Sequence, residues 1–120
     1  SYIFKNQISD YRTDLSNENE LLQGSARILK KDIYVKPHKH LPVKRETLGT
    51  QESWIVIEGK VLATLYDVDD SKLEEIELNA GSCMVFYRGG HSLRVIDDNT
   101  IFYEFKNGPY PGYDKDKINI

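Results

Sequence analysis

The stretch Gln51-Glu52-Ser53-Trp54-Ile55-Val56-Ile57-Glu58-Gly59-Lys60-Val61-Leu62-Ala63-Thr64-Leu65-Tyr66 decides the fold. Its first half is dense in β-branched and aromatic residues, which suit a pleated surface. Glu58-Gly59-Lys60 then reads as a tight turn, and Val61–Tyr66 as the returning strand of a hairpin. Alternation along the first strand sets Glu52, Trp54 and Val56 on one face. Trp54 and Val56 are core candidates, so Glu52 is expected to point inward with them and Gln51 outward. A carboxylate turned inward is costly unless a cation, a metal or hydrogen-bond donors meet it.

Downstream, the same punctuation repeats. Asp67–Lys72 is an acidic turn, and Leu73–Leu78 alternates with Ile76 and Leu78 on its apolar face. Asn79-Ala80-Gly81, Arg88-Gly89-Gly90 and Asp97-Asp98-Asn99 are turns around strands at Ser82–Tyr87, His91–Ile96 and Thr100–Lys106. Upstream, Ala26–Lys30 and Asp32–Lys36 read as two further short strands, with Pro37 at a strand end because it lacks an N–H. Residues 1–25 form a lead-in, with Tyr2-Ile3-Phe4 as a short strand and one helical turn at Leu21-Leu22 stopped by Gly24. Residues 26–106 form the domain proper, and residues 107–120 a tail. Short strands about ten residues apart predict an all-β antiparallel sandwich or barrel. No segment has a helical period, and no repeat is visible.

The 120 residues fit one domain. Apolar residues make up 39% and charged residues 29%, the balance of an ordinary globular protein. A net charge of −3 without a long basic cluster argues against a nucleic-acid partner. No apolar run is long enough to span a bilayer as a helix. No export signal opens the sequence, and the single cysteine, Cys83, has no internal partner. A cytoplasmic location is therefore the expectation.

Chemistry concentrates in the three histidines and Glu52. In Pro37-His38-Lys39-His40 the two imidazoles share one face if the backbone is extended. Such a pair can hold a metal ion, or be two exposed or core histidines. His91 opens a strand on the same face as Leu93 and Val95, so it too is expected to point inward. Glu46 is a rival to Glu52 at shorter spacing from His40.

With these residues in place the chain resembles the cupin superfamily, over roughly residues 26–106. His38 and His40 match the family's His-x-His, and Glu52, six residues and Gly59 match the end of its first motif. Gly81, Gly89 and His91 match parts of the second. Tyr87 stands where that motif has proline, and the interval from His40 to Glu52 is longer than usual. The resemblance implies a double-stranded β-helix, or jelly-roll, barrel of eight or more strands. It implies a divalent transition metal inside it (Fe, Mn, Ni, Zn or Cu), held by His38, His40, Glu52 and His91.

The expected function is that of a small metal-dependent enzyme on a polar small molecule, a carbohydrate derivative or organic acid. The alternatives are a non-catalytic small-molecule or metal-binding module, and a metal-independent sugar-nucleotide isomerase or epimerase with a histidine as base. Glu104 and Lys106 share a face of the last strand and are candidates for an acid/base couple, against an exposed ion pair. Lys44 and Arg45 are candidates for an anionic group, against a solvated loop. Tyr87 and Arg88 either rim a site or fill a strand end. Cys83 is read as a core filler or a soft sulfur near the site. Open strand edges need covering, and a homodimer formed by Tyr2–Phe4 or the apolar tail crossing to a neighbour is expected.

Overall fold

The computed structural model describes all residues from Ser1 to Ile120. The chain is all-β, apart from one turn of 3-10 helix at Lys5–Gln7 and one turn of α-helix, α1, at Tyr113–Asp116. Three strands are only two residues long: β1 (Tyr2–Ile3), β2 (Thr13–Asp14) and β3 (Ser25–Ala26). Six longer strands follow: β4 (Glu52–Glu58), β5 (Lys60–Tyr66), β6 (Lys72–Asn79), β7 (Cys83–Phe86), β8 (Gly90–Val95) and β9 (Ile101–Lys106). No helix is long and apolar enough to cross a membrane.

Every strand pair is antiparallel. One sheet has the order β1-β7-β4-β9, a second the order β6-β5-β8, and β2 pairs with β3 apart from both. The quoted stretch forms two strands joined at Gly59, but they enter different sheets. Gly59 has φ +80°, and a Cβ there would lie 2.3 Å from Thr100 Oγ1. A side chain at this crossing would therefore meet both backbone strain and a clash.

The sheets face each other across one core of Trp54, Val56, Met84 and Phe86 from the first and Val61, Ala63, Ile76 and Leu78 from the second. Val56, Val61, Ala63 and Leu78 have no exposed surface. Leucine-sized side chains buried to this degree each stabilise by about 1.5–3 kcal/mol. Glu52 faces the same way as Trp54, as the alternation predicts. Gln51 faces the other way yet is buried, because the lead-in covers it: its side chain accepts from Leu22 N–H (2.8 Å) and donates to Glu20 (2.6 Å).

Several expectations fail. Ala26–Lys30 and Asp32–Lys36 are not strands; only Ser25–Ala26 pairs, with Thr13–Asp14. From Arg27 to Thr50 every residue is exposed and no regular element forms. Lys30-Lys31-Asp32, Pro37 and Pro42 break the apolar pattern into pieces too short to bury a face. No helical turn forms at Leu21-Leu22. Tyr2–Ile3 does form a short strand, paired with Met84 and Cys83 of the same chain. Cys83 lies in register with Ile55 while its neighbour Met84 faces the core beside Trp54. The cysteine is thus on the opposite face, and burial pushes its thiol pKa up.

Candidate functional site

Glu52 begins β4, and His91 is the second residue of β8, in the opposite sheet. The sandwich brings them together: His91 Nε2 lies 3.6 Å from Glu52 Oε1, and both side chains are largely covered. The Trp54 indole N–H donates to the same Glu52 oxygen at 2.6 Å. His91 stacks on Phe86, with ring centroids 4.1 Å apart and planes 25° apart. Trp54 meets His91 edge-on at 5.2 Å. Two aromatic rings thus fix the imidazole plane, and a carboxylate faces one of its nitrogens. Burial pushes the Glu52 carboxyl up, but it is outweighed by the nearby His91 imidazole, the Trp54 hydrogen bond and the Lys106 charge. The net effect holds Glu52 below its ordinary value, so it is ionised at neutral pH.

This pair stands in a cleft of about 870 Å³, lined also by Tyr66, Ser92, Leu93 and the tail from Asp116 to Ile120. The cleft is acidic: Glu52, Asp67, Asp70, Glu104 and Asp116 line it, against Arg88 and Lys117. Both bases are engaged at the rim, Arg88 with Glu20 at 2.9 Å and Lys117 over the Tyr113 ring at 5.3 Å.

Glu104 and Lys106 do share the inner face of β9, in register with Trp54 and Glu52. They do not pair with each other. Lys106 binds Asp116 at 3.0 Å and sits 4.7 Å over the Tyr110 ring. Its partner Asp116 holds the Lys106 ammonium pKa above its ordinary value. Lys106 therefore anchors the tail, while Glu104 lines the cleft without an ion-pair partner.

His38 and His40 are not in the cleft. Both are exposed, on the arm from Arg27 to Thr50. Their rings lie 5.5 Å apart, and His38 Nδ1 is 2.9 Å from the Lys36 carbonyl oxygen. The inward orientation expected for them fails because the strand that would impose it does not form. Glu46 is on the same arm, 3.5 Å from Lys44, and Lys44 and Arg45 lie on a solvated surface. Within one chain no three potential metal ligands come together, so the arrangement does not fit the four-ligand set that the resemblance implies.

Sequence reasoning missed Phe86, the residue against which His91 stacks. Its signal was present, since Phe86 and Met84 alternate on one face of a strand that pairs with β4. Lys106–Asp116 joins residues with no periodic relation and left no such trace. Tyr87 does not line the cleft; it sits at the end of β7, whereas Arg88 does line the cleft. The Tyr87 hydroxyl bonds the Leu15 carbonyl oxygen and Ser16 Oγ, which fastens the lead-in to β7.

No family model, curated protein or solved structure matches the chain.

Proposed function

We propose that the protein is a cupin-like small-molecule protein whose cleft binds a neutral polar compound, a carbohydrate derivative, with Glu52 and His91 as an acid–base couple. The observation that carries this reading is the carboxylate–imidazole pair at 3.6 Å, walled by aromatic rings at the base of a ligand-sized cleft. An ionised Glu52 faces the His91 imidazole, which is placed to accept a proton from substrate. The acidic lining disfavours organic acids and nucleotide sugars. The jelly-roll reading of the fold is supported by the two sheet orders and by the β4–β5 and β8–β9 connections, each of which passes from one sheet to the other. A divalent metal belongs to this reading only if His38 and His40 reach the cleft.

Trp54 is the single tryptophan of the chain and touches the Glu52–His91 pair, so its emission reports the site. Neutral monosaccharides and amino sugars, titrated one by one, should include at least one that shifts this emission saturably. The response should vanish in His91→Ala, and dicarboxylic acids should give none. A response to dicarboxylates alone, or no response to any neutral sugar, defeats the proposal.

A further inference from the structure

Both sheets end at an open edge on the same side of the molecule. β9 has β4 as its only partner, and β8 has only β5. The β4–β5 and β8–β9 connections lie together, with Lys60 N–H donating to Thr100 Oγ1 and Ile96 N–H to the Lys60 carbonyl. The β8 and β9 edges therefore approach each other at this end of the sandwich, and each lacks a strand partner on its outer side. Such edges recruit strands. Beside the β9 edge, Ile101, Tyr103 and Phe105 are each about half exposed.

The arm Arg27–Thr50 has the opposite problem. It carries apolar side chains with nothing to cover them: Ile33, Tyr34 and Val35 are 51%, 74% and 62% exposed. From Leu29 to Leu48 it makes no hydrogen bond to the rest of the chain. The radius of gyration, 16.1 Å, exceeds the value of about 13.6 Å for a compact chain of this length. The arm reaches away from its own body.

Charge divides the same way. The arm holds seven Lys or Arg and two Asp or Glu, a net charge of +5. The remainder holds nine against seventeen, a net charge of −8. The acidic cleft lies at the open side. A 24-residue arm also matches the roughly 20–30 residues that each partner gives to a standard interface.

We infer that two copies of this chain exchange arms, the Ile33–Val35 region of each adding to the open β8/β9 side of the other. Pro37 ends the added ladder because it has no N–H to give. His38 and His40 then follow directly, and each cleft receives imidazoles from the second copy beside its own Glu52 and His91. This inference rests on the open edges, the exposed arm and the charge division. It does not rest on the identity of the cleft's ligand.

Sedimentation of the full chain at low salt tests the pair. A two-chain mass is expected, weakening as salt rises. The double variant Ile33→Glu/Val35→Glu should sediment as one chain with an unchanged circular dichroism spectrum, because both residues are exposed in the single chain. A one-chain mass for the parent protein, or a two-chain mass that survives the double substitution, overturns the inference. Carbodiimide cross-linking of an equal mixture of isotopically light and heavy chains then identifies whose arm lies in each cleft. Arm lysines joined to cleft carboxylates should appear as mixed-isotope products. Isotopically pure products alone would place each arm on its own body and overturn the exchange.

Discussion

The sandwich of β4–β9 and the arm Arg27–Thr50 draw on similar residue types and reach opposite ends. In the sandwich Val56, Val61 and Leu78 are sealed from water, whereas on the arm Leu48 is 99% exposed. Both contain short runs with β-branched residues. The difference lies in what each run can lean on. Val61–Tyr66 has β6 on one side and β8 on the other, with in-register partners for every residue toward β8. The arm's runs are about three residues long, separated by Lys30-Lys31-Asp32, Pro37 and Pro42. Strand-forming sequence becomes a strand only where neighbours satisfy its backbone and cover its face.

The sharpest way to break this contrast is from inside the sandwich. Leu78→Ala removes a fully buried side chain from the centre of the core and should cost about 2–5 kcal/mol. Urea denaturation measures it, and a loss under about 1 kcal/mol would mean that the packing between the sheets is loose. A second comparison uses two glycines. Gly59→Ala combines a positive φ of +80° with a Cβ 2.3 Å from Thr100 Oγ1. That hydroxyl is itself committed, donating to the Asp97 carbonyl at 2.7 Å. Gly49→Ala has a similar φ of +88° on the arm, with nothing within 4 Å. The first should cost about 2–3 kcal/mol and the second about 1 kcal/mol, the strain alone. Equal melting-temperature shifts would show that the Gly59 crossing yields.

The same contrast explains what could be read in advance. Alternation from Glu52 to Ile57 located the inner face, and with it Trp54, Val56 and the inward carboxylate. The Gly-Gly turn located His91. Their meeting is a consequence of two sheets stacking, which the inner-face assignments already contained. His38 and His40 were misplaced because face alternation holds only if a strand exists, and Pro37 with the flanking lysines leaves that segment no strand in the single chain. Gln51 shows a further limit. Its face was right, but its burial depends on Leu22 and Glu20, which pack against it without any regular secondary structure of their own. The tail was legible only as apolar and charged residues, and its place at the cleft is held by the Lys106–Asp116 ion pair, by Thr50 Oγ1 donating to Asp116 and by Ile120 against Gly90.

The smallest expected effect lies at the site itself. Glu52 is held below its ordinary value in the folded chain, whereas unfolded glutamate titrates near about 4.3. Between those two values the unfolded chain binds more protons at this position than the folded chain does, so stability rises with pH there. The contribution is fully present above the unfolded value and is lost as pH falls through the folded one. Glu52→Gln keeps an oxygen for the Trp54 N–H and removes only the charge that His91 and Lys106 favour. At pH 7 it should lower stability by less than about 1 kcal/mol, the range of a pair that water still reaches. Urea titrations of both proteins at pH 7 and at stepwise lower pH should converge on the acid side. A gap that stays constant through the acid range would mean that the carboxylate's charge contributes nothing at this site, and that Glu52 acts there as a hydrogen-bond acceptor only.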